Sequence, residues 1–499
     1  MIFRFAGRLL LFASAGLLVG TAAVRSAAPQ DWWAPGDGRT FPAQVDYRNE
    51  QGVLRVLLAN GPLDTRDHPF FAPPGANGRA CVTCHQPADA MSLSVESARE
   101  RWEATGGRDQ LFSAYDGSNC PTLPQGERAS HSLLLDHGLI RIQLPWPVTE
   151  WNGRAVEPDF TIEVVRDPYG CNSGEEYGPA AGNVSVYRRP RPVANLKYLI
   201  ATGFAYDPKQ GLPLPLDPVS GRPMSGNLMA DGRSGTLGDQ MRDAAATHLQ
   251  LLAQMDAGER DRIEEFILRV YAAQQFSSAG GALDAGGAEG GPRKLADSEP
   301  GQLGSIGTPL WSEFEAWERI SDAERVTLSP EALAFRQSVA RGARVFRDKT
   351  FLITDSAGIN APIGFGNPVR NSCVFCHNMT MMGNDVAPGQ VDLGTTTQPF
   401  ADPAPHLPLF RITCTGRPHP FYGRVIHTSD PGFALTTGRC ADVGKITLQS
   451  MRGLAARAPY FSNGSASDLR GVVDYYDRRY DIGYTEQEKQ DLVNLMSVL

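Results

Sequence analysis

The side chains with the most specific chemistry lie in two short runs. Cys81-Val82-Thr83-Cys84-His85 and Cys373-Val374-Phe375-Cys376-His377 both read Cys-x-x-Cys-His. Two thiols on one turn reach the two vinyl groups of a single porphyrin, and the adjoining histidine rises beneath the iron as its proximal ligand. A zinc or thioredoxin-like use of Cys-x-x-Cys leaves both histidines unexplained. The pattern predicts two covalently bound haem c groups. Cys81, Cys84, Cys373 and Cys376 are the attachment points, and His85 and His377 the iron ligands.

What faces each iron from the other side then decides function. An iron with two protein ligands mostly passes electrons, whereas an open side binds dioxygen or peroxide. No histidine occurs between His85 and His131. His131 and His137, around Leu133, Leu134 and Leu135, are either iron ligands or hydrogen-bonded surface histidines. His68, His406, His419 and His427 sit beside Pro or Thr and read as loop residues. Met379, Met381 and Met382 follow His377 too closely to cross to the far face of the same haem, so they read as packing against it. The other cysteines are expected to pair in sequence order, Cys120–Cys171 and Cys414–Cys440; the alternative is buried free thiols.

These groups need elements to hold them. Ser329 caps and Pro330 opens a helix with the apolar stripe Leu333, Phe335, Val339, Ala343 and Phe346. Thr485 and Glu488 form a capping box ahead of Leu492, Leu495, Met496 and Leu499. Another helix is expected from about Leu237 through Tyr271, and strand signals are few, at Ile140–Leu144 and Phe160–Val165. A helix before and a helix after a haem loop is the plan of a small c-type cytochrome. The expected fold is therefore mainly α with long loops, as two cytochrome c-like domains that each carry one covalent haem c. They span 29–275 and 308–499, joined by a glycine-rich linker or loop at 276–307.

A length of 499 residues accommodates two to four domains with ample core. With 41% hydrophobic and 20% charged residues the chain is globular, which excludes disorder throughout. Its net charge of −8 provides no basic face for a nucleic acid. Arg4 and Arg8 precede the apolar run Leu9–Val24, and Ser26, Ala27 and Ala28 follow. The run falls short of the ~20 residues that span a bilayer, and its layout is that of a secretory signal over 1–28. Losing Arg4, Arg8 and Arg25 takes the charge from −8 to −11. The expectation is an exported protein, periplasmic or secreted, with no membrane span after cleavage.

The motifs together resemble one known group. Cys81 to Pro87, then Asp231-Gly232-Arg233 with Leu237 and Gln240, are similar to the first half of the bacterial di-haem cytochrome c peroxidase superfamily. That superfamily includes MauG-type enzymes and the di-haem rubber oxygenases. Thr437 to Gly444, Arg452 to Phe461 and Asn463-Gly464-Ser465 look most like the rubber-oxygenase-like branch. The resemblance runs from about Gly61 to Leu499.

The resemblance implies a reactive first haem with an open face and a second haem that supplies or stores electrons. It also implies a calcium ion between the domains. The partners are a small redox protein or small-molecule donor, and dioxygen or hydrogen peroxide. Tyr476 aligns with the distal ligand of the second haem, with Tyr475 as the register alternative; either ring could instead simply pack the helix. Gln240 matches a distal glutamine. Three departures stand out: Ala230 replaces a bridging tryptophan, Ala244 a proline, and Gln250 an acid–base carboxylate. The last loss favours dioxygen over fast peroxide chemistry unless His248 takes over the proton transfer. A peroxide-reducing peroxidase, a non-enzymatic electron carrier and a MauG-like modifier of a partner protein are the alternatives.

Overall fold

The first apolar run past the terminus, Val53 to Leu58, forms a strand. Gly52–Leu58 pairs antiparallel with Gln44–Asn49 on one edge and with Val270–Ser277 on the other, and Gly281–Ala282 completes a four-stranded sheet. Leu54, Val56 and Leu58 point to the core while Arg55 pairs outward with Asp46. Gly52 is required where the hairpin closes. Its φ is +146°, and a Cβ there would lie 2.1 Å from the carbonyl oxygen of Phe276.

The computed structural model describes residues 32–75, 77–151, 153–200, 225–251, 255–298, 312–361, 365–377 and 390–499. Helix of all kinds makes up 33% and strand 20%, in several sheets. The fold is therefore not mainly α, and the expectation of a mainly α fold with long loops is corrected. Part of the error lies at Leu237–Tyr271. The apolar pattern there breaks into helices Leu237–His248 and Ala257–Arg269, and the chain turns into strand at Val270. The strand is held by remote partners: Asn195 Nδ2 donates to the Ala272 carbonyl (2.8 Å) and Asn195 Oδ1 accepts from the Ala272 N–H (3.2 Å). Tertiary partners override local periodicity in such a case.

Other elements follow the sequence. Strands Ile140–Pro145 and Phe160–Arg166 pair with Asn183–Arg188 and Leu409–Cys414 respectively. Helix Pro330–Asp348 has Ser329 Oγ accepting from the Ala332 N–H. Helix Glu486–Ser497 carries the Thr485/Glu488 capping box. These two helices touch at Gly342, where a Cβ would meet the Asp491 carbonyl oxygen at 2.1 Å. Disulfides join Cys120 to Cys171 and Cys414 to Cys440.

One apolar core gathers Phe41, Phe70, Phe71, Phe266 and Leu237 beside the first cysteine motif. Another gathers Val339, Phe346, Leu454, Tyr480 and Leu495 beside the second. Each such buried ring or aliphatic side chain contributes about 1.5–3 kcal/mol. A third core, with Leu134, Val186, Phe410 and Ile412, lies under the sheet formed by Phe160–Arg166, Leu409–Cys414 and Val425–Thr428. Within the expected linker, Gly281–Ala282 is a strand and Pro292–Asp297 a helix; 299–311 lie outside the described residues. So do the expected signal at 1–28 and Met379, Met381 and Met382. Among the described residues no helix is long and apolar enough to cross a membrane.

Candidate active site

Both Cys-x-x-Cys-His runs fold into the same local form. Cys81–Thr83 and Cys373–Phe375 are each one tight 3-10 turn. The N–H of His85 donates to Cys81 O (3.1 Å), and that of His377 to Cys373 O (3.0 Å). This places two thiols and an imidazole on one short turn. A phenylalanine lies beside each imidazole, Phe70 at 6.4 Å from His85 and Phe346 at 5.7 Å from His377. The four motif cysteines are free while the other four are bridged.

Each motif opens on a largely apolar cavity. The first takes in Cys81, Cys84 and His85 and is faced by Leu237, Gln240, Met241, Ala244 and His248. The second takes in Cys373, Cys376 and His377 and is faced by Tyr476, Tyr480, Met451 and Met496. Burial pushes the thiols of Cys81, Cys84 and Cys376 up to about 12 and that of Cys373 to about 11. Among the described residues no cluster of three or more His, Cys, Asp or Glu is built for a bare metal ion.

His85 is pre-set as a neutral ligand. Burial lowers it to about 4. Its Nδ1 lies 3.1 Å from the Met91 carbonyl oxygen, so Nδ1 carries the proton and Nε2 keeps its lone pair. Free paired thiols, a neutral imidazole and an apolar cavity fit a covalently attached haem at this position. The second motif likewise brings two free thiols and an imidazole to an apolar cavity.

The helix Leu237–His248 begins at Thr236, whose Oγ1 accepts from the Asp239 N–H. Gln240, Ala244 and His248 recur every fourth residue along one face, and all three line the first cavity. His248 closes this helix. Its Nδ1 is 2.7 Å from Asp116 Oδ2, and Arg79 pairs with the other Asp116 oxygen. Arg79 and Asp116 are each 1% exposed. Burial disfavours the Asp116 charge, but Arg79 and the His248 hydrogen bond outweigh it and hold the carboxyl below its usual range. The ionised carboxylate fixes the proton on Nδ1 and leaves Nε2 for the cavity. Arg79 is itself steered by the carbonyls of Gln110 (2.7 Å) and Leu111 (2.9 Å).

Gln250 lies past the end of this helix with φ +50°, exposed, and it accepts from Asn77 Nδ2 at 3.5 Å. It does not line the cavity. Nor do His131 and His137. The two nitrogens of His131 meet the carbonyls of Glu127 and Phe112, and His137 stacks on His406 at 3.7 Å. Of the two tyrosines in register, Tyr476 lines the second cavity, while the Tyr475 hydroxyl donates to the Leu393 carbonyl (2.8 Å). Burial pushes the Tyr476 phenol well above its ordinary range. Ala230 lines the first cavity, and Asp231 beside it is held at about 2 by Arg233 and Arg188 against its burial.

Sequence reasoning missed Arg79 in the wall of the first cavity, Asp116 bonded to Arg79 and His248, and Met451 and Met496 in the wall of the second cavity. Asp116 and His248 are far apart in sequence, so no local spacing joins them. Met496 stood only as part of an apolar helical stripe.

No family model matches the chain. It is 28% identical over 204 residues to the cytochrome-c peroxidase IdrP1 of Pseudomonas sp. (strain SCT), covering 37% of this chain and 50% of that one. It is 28% identical over 209 residues to the cytochrome-c peroxidase IdrP2 of Denitromonas iodatirespirans, covering 35% of this chain and 55% of that one. The chain thus spans about half the length of the curated relatives it matches.

Proposed function

We propose that the chain is an exported oxidoreductase with two haem c groups that reduces hydrogen peroxide at the His85 cavity. The carrying observation is the Arg79–Asp116–His248 chain, which delivers a positioned imidazole to the same cavity as His85. The likeness to two proteins named cytochrome-c peroxidases supports the same reading. A haem held by Cys81, Cys84 and His85 would supply peroxide binding and electron transfer, and one held by Cys373, Cys376 and His377 would supply storage of an electron from a small redox donor.

Everything else falls to the chain's own side chains. His248 Nε2 accepts the proton of the incoming peroxide and returns it to the departing oxygen, while Asp116 stabilises the imidazolium in between. Gln240, on the same helix face, orients the bound oxygen pair. Two electrons from the donor and two protons from solvent convert each peroxide to two waters. Phe70, Met241, Leu237 and Ile267 exclude bulk water from the reacting end. A haem held by Cys373, Cys376 and His377 would share its cavity with Tyr476, Met451 and Met496, whose phenol and thioethers are the candidate second ligands.

A second reading, dioxygen activation, is favoured only by Gln240, which can donate a hydrogen bond to bound dioxygen. The test is turnover of the purified holoprotein with a reduced small cytochrome c. One peroxide consumed for every two cytochromes oxidised supports the peroxidase reading. Oxygen uptake with negligible peroxide turnover refutes it.

A further inference from the structure

Six arginines crowd the walls of the two cavities. Arg79, Arg188, Arg189, Arg191 and Arg233 line the His85 cavity, and Arg457 lines the His377 cavity. Three of them are neutralised by carboxylates, Arg79 by Asp116. Arg188 binds Asp430 (2.6 and 2.9 Å) and Asp231 (2.6 Å). Arg233 binds Asp231 (2.9 Å) and Asp243 (2.7 Å).

The other three have only neutral partners among the described residues. Arg189 donates to the carbonyls of Leu93 (2.9 Å), Arg457 (2.8 Å) and Ala458 (3.4 Å). Arg191 donates to the carbonyls of Thr447 (2.9 Å) and Leu448 (2.6 Å). Arg457 donates to Gln449 Oε1 (3.1 Å) and to the carbonyls of Arg452 and Ser450. Arg189 and Arg457 are almost fully buried, at 4% and 3% exposed. Burial lowers Arg189 to about 9 and Arg191 and Arg457 to about 10, and Arg457 adds its repulsion to the first two.

Buried cations without a counter-charge are costly, and natural interiors pair them. Here the missing partner has to come from the cavity side. A planar guanidinium matches a carboxylate through two parallel bonds. The cysteine motif fixes one edge of a tetrapyrrole, which leaves its carboxylate-bearing edge to find cations in the wall.

Resting on the two-haem reading above, we propose that Arg189, Arg191 and Arg457 form one carboxylate-docking cluster shared by both cavities. Arg189 and Arg191 take carboxylates of the tetrapyrrole in the His85 cavity, and Arg457 takes one from the group in the His377 cavity. The same cluster ties the walls together. Thr447 and Leu448, which accept from Arg191, line the His377 cavity. The Thr447 N–H donates to the carbonyl of Ala230, which lines the His85 cavity (2.8 Å).

The test compares Arg191→Gln and Arg457→Gln with Arg191→Lys and Arg457→Lys in the holoprotein. Haem per chain is counted by pyridine haemochrome, and both midpoint potentials are read by spectroelectrochemistry. A lost cation beside a carboxylate favours the oxidised iron. The reduction equilibrium is expected to fall about tenfold or more in each Gln variant, about 59 mV for a one-electron couple. Arg457→Gln moves the His377 haem and Arg191→Gln the His85 haem, while each Lys variant, which keeps the charge but loses the two-bond match, shifts its haem in the same direction by less than the matching Gln variant. Unchanged potentials in both Gln variants overturn the proposal. Fewer than two haems in the unmodified protein instead overturns the reading it rests on. If the Gln variants fail to load haem, resonance Raman of the unmodified protein decides. Carboxylate bands that shift on H/D exchange support guanidinium bonding, and bands that do not shift overturn it.

Discussion

Replacing His248 by Gln separates the proton-transfer role from the structural one. The Asp116–Arg79 pair does not need the imidazole, because Arg79 holds its own oxygen of Asp116 and two backbone carbonyls. His248→Gln should therefore fold and load haem normally. What it loses is the group that relays a proton between the peroxide oxygens. Positioned acid–base catalysis is worth roughly 10²–10⁴-fold, or about 3–5 kcal/mol of barrier. The second-order rate with peroxide, followed by stopped flow on the reduced holoprotein, should fall by about that factor. Asp116→Ala is the contrasting perturbation. It frees the imidazole to rotate and leaves Arg79 buried without its carboxylate, which costs about 3–5 kcal/mol of stability on top of the rate loss. Thermal melts by circular dichroism separate the two effects. The reasoning fails if His248→Gln reacts with peroxide within about threefold of the unmodified rate. It also fails if both variants lose stability equally.

Further outcomes follow from the same geometry. Gln250→Glu should leave the peroxide rate within about twofold, because that side chain is exposed and off the cavity; a tenfold rise in the same stopped-flow assay would contradict this. His68 and His419 are buried, and each accepts a backbone N–H on Nδ1, so burial holds both at about 4. The unfolded chain takes up these protons first. Stability is full above about pH 6.5 and falls by up to ~1.4 kcal/mol per pH unit for each histidine as pH drops toward 4. Urea titrations at pH 7 and pH 5 should show the drop, and His68→Gln should reduce it. Opening Cys120–Cys171, which closes 51 residues, should cost about 4 kcal/mol by loop entropy, and opening Cys414–Cys440, across 26, about 3.5 kcal/mol. Melts of the two double Cys→Ser variants check the order.

How much of this was legible beforehand depended on sequence range. The helices at Pro330 and Glu486 carry their own start signals, Ser329 and the Thr485/Glu488 box, so local chemistry was enough to place them. The motif turns were legible for the same reason, since Cys81 to His85 is a single turn. Strands failed where pairing is remote. The hairpin Gln44–Leu58 turns through Glu50 and Gln51, without the Asn-Gly or Asp-Gly that marks a tight turn. Val270–Ser277 follows a helix without any breaker, and its strand form depends on Gly52–Leu58 and Asn195. Gln240, Ala244 and His248 were singled out by the family resemblance, but the end of their helix was not legible. The helix stops at His248, so Gln250 turns away from the cavity. Nothing in the spacing of Arg79, Asp116 and His248 brings them together. Only the packing of three separate segments does.

The central claim is that two covalent haems occupy the two cysteine-lined cavities, and intact-mass measurement of the purified holoprotein tests it most directly. The account predicts a mass greater than the bare polypeptide by two haem groups. The double variant Cys81→Ala/Cys84→Ala should lose one, and Cys373→Ala/Cys376→Ala the other. A single added haem, none, or two that persist in either double variant would contradict it.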